Sequence, residues 1–325
     1  MTVNAEDRSG ISGVARRNRA TPGSPRLKPQ PRGVLRALAD YKWIILAVIV
    51  VLAFVYYPIA VNIGQSFTDH DIFTQETKFV GLKNYRILFA DPIFWRAVIN
   101  NILYAVLSIV GQVFFPLLVA SCIESLRSDG WRKFWRALYF VPSATSIPVS
   151  GLLFYFIYQP NIGILNRFLD AVGLSDLALP WLGNSSTAIF AIILMSQWQG
   201  FGYSTLLLSI AIRRVPQEYF DAAKVDGAGA VRRAFSVTFP LVREMTGFVA
   251  LFTATMAFQV FTEVQVMTAG GPGNSSHVLG TWLYHQAFEA NDFGAATAIG
   301  VVIFVLSFGI GVIQQMYARR TRVEY

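Results

Sequence analysis

The sequence predicts an all-α, polytopic membrane protein with six transmembrane helices and both termini in the cytoplasm. Three observations carry this expectation. Hydrophobic residues make up 54% of the 325 positions and charged residues only 14%. Six stretches are long and apolar enough to cross a bilayer, and the basic residues between them are unevenly divided between alternate loops.

A membrane helix needs about 20 residues. Uncharged runs cover Trp43 to Thr68, Ala97 to Ile123, Ala137 to Asn166, Leu177 to Ile212 and Phe293 to Ala318, and a sixth, Met245 to Met267, is broken only by Glu263. Of the 27 Lys and Arg, nine precede Trp43, four lie between the second and third runs, six between the fourth and fifth, and three after the last. The remaining Lys78, Lys83, Arg86, Arg96 and Arg167 fall in the opposite set of loops, which assigns that set to the outside. The net charge of +8 is thus a product of membrane sidedness. No nucleic-acid partner is expected, because the basic tail carries no interleaved aromatic residues for stacking.

Residues 1–40 read as a disordered basic leader, rich in Pro and Gly and poor in large apolar side chains. Residues 41–320 form the membrane domain, and 321–325 a short cytoplasmic tail. In the first run Pro58 bends or ends the helix. Outside it, "FVGLKNYRILFADPIFW" predicts a short amphipathic helix at the interface. The basic loop after the second run places Trp131, Trp135 and Tyr139 at helical spacing, suited to a headgroup anchor. Pro142, Pro148 and Gly151 make the third run irregular, either as a packed kink or as the lining of a pathway. The fourth run carries Gln197, Trp198, Gln199 and Tyr203 in its middle. Asn100, Asn101 and Gln112 read as interhelical packing groups.

Chemistry on covalent bonds finds little support. No phosphate-cradling glycine loop is visible, Cys122 stands alone, and His70, His277 and His285 do not form a metal pattern with it. No enzyme activity, metal or cofactor of the chain's own is expected.

The stretch "EYFDAAKVDGAGAVRRAFSVTFP", Glu218 to Pro240, is a charged, alanine-rich insertion between two apolar runs. Pro216 suits the first turn of a helix ending near Val225. Asp226-Gly227 reads as a turn, with Asp226 capping a second helix that contains Val231, Ala234, Phe235 and Val237. Ala222, Ala223, Gly227, Ala228, Gly229 and Ala230 permit close backbone approach, as a helix seated in a cleft of another protein requires. The alternative is an interfacial helix lying on the bilayer, with Lys224, Arg232 and Arg233 facing anionic lipid.

"DAAKVDGAGAVRRAFSVTFP" resembles the cytoplasmic loop of permease subunits from bacterial binding-protein-dependent ATP-binding-cassette importers. Asp221 stands where that family usually has Glu; Ala222, Ala223, Asp226, Gly227 and Ala228 match, and Phe235 and Pro240 fall at the expected spacing. Thr238 replaces an aliphatic residue, and Glu244 stands where many members have a second Pro. The similarity extends over nearly all of Lys42 to Arg320, through "FVGLKNYRILFADPIFW", "NIGILNRFL" and "MTAGGPGNSSHVLGTWLYHQAFEANDFGAATA", and points to the carbohydrate-uptake, heterodimeric branch.

The resemblance implies a type I importer permease architecture in the bacterial plasma or inner membrane. Within residues 213–244, Asp221, Ala222, Ala223, Asp226, Gly227, Ala228, Phe235 and Pro240 are the implied ATPase-coupling residues. It also implies a second homologous permease, two cytoplasmic ATP-binding-cassette subunits that use ATP-Mg, an extracytoplasmic sugar-binding protein and contact with membrane lipids. Transport is then by alternating access. Sugars favour hydrogen-bonding groups combined with aromatic faces, which makes Gln197, Trp198, Tyr203, Gln259 and Glu263 the candidate substrate path. The competing reading is a self-contained secondary solute carrier.

Overall fold

The computed structural model describes residues 34–70 and 77–320. Most of the expected leader, residues 1–33, and the tail 321–325 lie outside the described residues.

The chain divides into two units, residues 1–55 and 56–325. In the first, α1 spans Val34–Val51 and enters a wider π turn at Leu52. The second unit includes α2, Tyr57–Gln65, where Pro58 follows directly on the π turn, so the hydrogen bond that proline cannot donate is lost where the helix already widens. A two-stranded antiparallel ladder follows, β1 Thr68–His70 with β2 Thr77–Phe79, pairing Thr68 with Phe79. This short ladder is the β structure among the described residues.

Then come α3 Lys83–Ala90, α4 Pro92–Ile109 and α5 Phe115–Glu124, the last two joined by a π turn at Val110–Phe114. Asp91 caps α4 by accepting from the Ile93 amide at 2.8 Å, and Pro92 occupies the first turn. Next are α6 Asp129–Phe140, α7 Ile147–Ile157, α8 Ile164–Ala171 and α9 Ala188–Arg214. The charged insertion holds α10 Gln217–Val225, α11 Ala230–Arg233 and α12 Phe239–Leu241. The chain continues through α13 Arg243–Phe258, α14 Thr262–Met267, α15 Leu279–Tyr284 and α16 Phe293–Arg320.

The expectation of six spanning helices is corrected. Among the described residues three helices are long and apolar enough to cross a membrane, Ile44–Gln65, Pro92–Glu124 and Phe293–Met316; a fourth is reached if Val231–Leu241 and Arg243–Phe258, bent by 84°, count as one. The uncharged run 137–166 is cut into α6, a 3-10 turn at Pro142–Ala144, α7 and α8. With 11 residues, α7 rises only about 16 Å, half the hydrocarbon thickness. Its boundaries lie where Thr145 and Ser146 are extended and where Gln159-Pro160 follows. α9 is long enough, but Ser196, Gln197, Gln199 and Ser204 make its middle too polar to count. With three spans the two chain ends fall on opposite faces, and with four on the same one, so the count no longer places both termini in the cytoplasm.

Three apolar clusters hold the second unit together. One joins Tyr104, Ile192, Met195 and Val264; another Leu117, Leu208, Val215 and Val249; the third Phe94, Leu279, Trp282 and Ile299. α9 lies at the centre, with residues in the first two. It touches α6 closely, because a side chain at Gly202 would land on the Tyr139 carbonyl. Asn101 of α4 donates to the Ala257 carbonyl of α13 at 2.7 Å and accepts from the Leu279 amide of α15 at 2.7 Å. Asn100 donates to the Ser275 and His277 carbonyls at 2.8 and 2.7 Å. Such bonds satisfy backbone groups that irregular chain leaves open inside apolar surroundings.

Candidate functional site

Most of the residues the sequence singled out fall in two regions, the helical insertion after α9 and a cavity between α4, α9 and α13. The insertion stands on a partly buried ion pair. Arg136 of α6 donates through Nη2 to both carboxylate oxygens of Glu124 at 2.6 and 2.7 Å and through Nε to Oε1 at 2.9 Å. The Ser209 hydroxyl of α9 donates to the same carboxylate. Three helices are thus fixed to one another where the insertion departs.

α9 passes into α10 through two extended residues, Val215 (φ −71°, ψ 128°) and Pro216 (φ −55°, ψ 135°). α10 buries Ala223 and rests Phe220 on the cluster around Leu208, while Tyr219, Ala222 and Val225 face outward. Val225 is 88% exposed. Asp221 is also exposed. Lys224 donates to its carboxylate at 2.7 Å and Gln217 at 3.1 Å, and these hydrogen bonds hold its carboxyl below the ordinary value.

Asp226-Gly227 does form a turn, but Asp226 caps the C-terminus of α10 rather than the start of the next helix. The Gly227 amide donates to Lys224 O at 3.0 Å and the Ala228 amide to Ala223 O at 2.9 Å, the paired bonds of a Schellman ending. Gly227 has φ +75°, a conformation side chains disfavour. Phe235 sits in a third π turn, Ala234–Thr238, with its ring 5.8 Å from that of Phe114 in the π turn between α4 and α5. Pro240, in α12, is exposed.

The cavity between α4, α9 and α13 has a volume of about 160 Å³; Tyr104, Ser108, Gln112, Ser196, Tyr203, Thr253 and Glu263 supply its polar groups, and Val249, Phe252 and Met256 are part of its apolar wall. Of the five candidate path residues, Tyr203 and Glu263 line it. Gln197 lies alongside, donating to Ser108 Oγ at 2.9 Å and to Ile193 O at 3.1 Å, with its Oε1 buried and unpartnered. Trp198 turns to Phe154, with ring centres 5.2 Å apart, and Gln259 is exposed at the end of α13. Glu263 is 9% exposed and accepts from Tyr104 Oη at 3.2 Å. Tyr104, Ser196 and Thr253 were missed because each looks like an ordinary packing residue within an apolar run. Only the folding of distant segments onto one another gives them a shared cavity.

Beyond α14, the Gly-rich turn has left-handed backbone at Ala269, Gly270, Gly273 and Asn274. Gly270 has no side chain because the His277 ring occupies that space. His277 Nδ1 is 3.0 Å from Thr281 Oγ1, and its ring stands edge-on to Trp282. Burial, reinforced by repulsion from His285, pushes its imidazole down to about 4. Among the described residues no group of His, Cys, Asp or Glu is placed to hold a metal ion.

Comparison with known proteins places this architecture. Residues 85–323 match the family described as "Binding-protein-dependent transport system inner membrane component". The "Probable ABC transporter permease protein YurN" of Bacillus subtilis is 42% identical over 276 residues, covering 85% of this chain and 94% of the relative. The "Arabinooligosaccharides transport system permease protein AraP" of Halalkalibacterium halodurans is 32% identical over 262 residues, covering 80% of this chain and 81% of that one. In fold, the chain resembles one in the crystal structure of a bacterial alginate ABC transporter in complex with an alginate pentasaccharide-bound periplasmic protein. The TM-score is 0.76 at 22% identity, covering 90% of this chain and 98% of that one.

Proposed function

Because this chain belongs to the family of binding-protein-dependent transport system inner membrane components, we propose that α10 is the element through which ATPase motion reaches a carbohydrate path lined by Tyr203 and Glu263. As a family member the chain is a transmembrane permease subunit of an ABC-type importer, a multi-pass protein of the bacterial inner membrane working in a multi-subunit complex. It is not an enzyme. Membership implies that ATP-Mg is used by separate subunits.

The observation that carries the coupling reading is the two-sided character of α10. Phe220 and Ala223 anchor it, while Ala222, Val225, Asp226 and Gly227 stand exposed beside a closed helix end. In this reading the exposed side seats in a cytoplasmic ATPase, one of two. A second permease completes the path and an extracytoplasmic binding protein delivers the sugar, released inside by alternating access. Asp221, Ala222, Ala223, Asp226, Gly227 and Ala228 shape the seat, and Phe235 and Pro240 shape its exit. Sugar as cargo is supported by the relatives, one of them an arabinooligosaccharide permease, and by the mixture of hydroxyl, carboxylate and aromatic groups around the cavity.

Gly227→Pro tests the coupling role, since proline holds φ near −65° where the turn requires +75°. Affinity purification of the tagged complex should lose the ATPase, and uptake should fall, while membrane insertion followed by flotation stays intact. Unchanged ATPase recovery and uptake would remove the docking role. Glu263→Gln tests the path separately: transport should weaken with no loss of ATPase, and normal uptake at every sugar concentration would exclude a role for the carboxylate.

A further inference from the structure

We propose that the cavity enclosed by the end of α5, α6, the end of α9 and the α10–α11 segment binds a phosphate-bearing anion. It measures about 360 Å³, and its wall carries Arg127, Arg132, Arg213, Lys224 and Arg233 against one carboxylate, Glu124. That carboxylate is already taken by the Arg136 fork and the Ser209 hydroxyl. Five cations drawn from separate stretches of chain therefore converge on one concave space whose wall holds no second acid. Like charges held this close repel one another unless an anion lies between them.

The local partners do not use up these donors. Lys224 pairs with Asp221 and Arg132 with Asp129, each at 2.7 Å, and both acids are largely exposed, so the pairs stabilise little and leave further N–H groups available. Arg233 gives Nη1 to the Ala228 carbonyl. Arg127 and Arg213 make neither an ion pair nor a side-chain hydrogen bond among the described residues. A second observation is independent of the charge count: Nε of Arg132 is buried and has no acceptor. A buried guanidinium N–H without a partner costs free energy until an acceptor reaches it.

Phosphate oxygens fit this wall. Guanidinium groups meet them in paired bonds, and basic pockets beside membrane helices recognise phosphate headgroups. The shared chemistry is a phosphate group, whether borne by a lipid or by a soluble compound. Lys224 and Arg233 belong to the insertion, whereas Arg127, Arg132 and Arg213 belong to its base. A bound phosphate ties the two together, a regulatory contact that requires neither ATPase docking nor transport to be detected.

The test follows hydrogen exchange across residues 217–233 in the purified importer complex. Nanodiscs of phosphatidylcholine are titrated with inorganic phosphate, with potassium chloride at matched ionic strength as control. A parallel sample contains phosphatidylglycerol in the bilayer. Saturable protection by inorganic phosphate identifies a soluble source, and protection by phosphatidylglycerol alone a lipid source; either supports the site. In the R127Q/R213Q variant the half-saturating phosphate concentration, or the phosphatidylglycerol content needed for protection, should rise about tenfold or more. Absence of protection beyond that given by chloride, or protection unchanged in the variant, overturns the proposal. Should the double variant fail to assemble, the wild-type titration against chloride decides by itself. ATPase retention, measured on the same preparation, reports separately on the coupling role.

Discussion

Replacing Glu124 with alanine strips the counter-charge from Arg136 at a partly buried place beside the basic cavity, where the two side chains are 7% and 15% exposed. Nη2 loses acceptors at 2.6 and 2.7 Å and Nε one at 2.9 Å, while Ser209 remains 3.2 Å from Nε. Hydrogen bonds to charged groups contribute about 1.5–3 kcal/mol each, and breaking a buried pair by removing one member costs about 3–5 kcal/mol. The second figure is the better guide because Ser209 keeps part of the guanidinium satisfied. At about 2 °C per kcal/mol for a large chain, the apparent Tm of the detergent-purified complex should fall by about 6–10 °C. Tryptophan fluorescence at one fixed scan rate measures it, since such unfolding is commonly irreversible. Glu124→Ala combined with Arg136→Met should recover much of the loss, because no charge is then stranded. A single variant within about 1 °C of wild type, or a double variant no better than the single, would refute the account.

Two further outcomes follow from the packing. His277 is neutral in the folded loop with its pKa near 4, against about 6.5 unfolded, so the stability it confers is complete above pH 6.5 and declines as pH falls toward 4, by at most about 3 kcal/mol; hydrogen exchange of residues 268–282 should accelerate over that window in the wild type and not in His277→Gln. Gly202→Ala places a methyl group on the Tyr139 carbonyl and should cost about 1–3 kcal/mol, read as a lower Tm, whereas Gly309→Ala, with open space around it, should leave Tm unchanged.

The sequence made the helical character and the insertion legible, for different reasons. Apolar runs announce helices in a membrane because the backbone has no other way to satisfy itself there. They do not announce how many helices a run contains. In the run 137–166 Pro142, Pro148 and Gly151 mark an irregular helix, but hydropathy still counts it as a span, although the break at Pro142–Ala144 leaves α7 only 11 residues. At the insertion, Asp-Gly marked a turn without telling whether Asp226 closes one helix or opens the next; three residues without helical backbone, Gly227 to Gly229, decide for the former. The Tyr104–Glu263 bond joins residues 159 positions apart, and no local pattern encodes it. The Glu124–Arg136 pair spans only 12 positions yet was equally hidden, because its geometry depends on α9 supplying Ser209 from elsewhere.

The link between α9 and α10 has a mechanical consequence. Val215 and Pro216 are already extended, and two residues reach about 7 Å at most. A tether this close to its full length holds little slack, and the proline ring removes one of its few torsional freedoms. Pulling α10 away from the membrane therefore loads α9 from the first ångström of travel. The load then enters α6 and α5 through Gly202 and the Arg136 fork, before any loop has room to stretch.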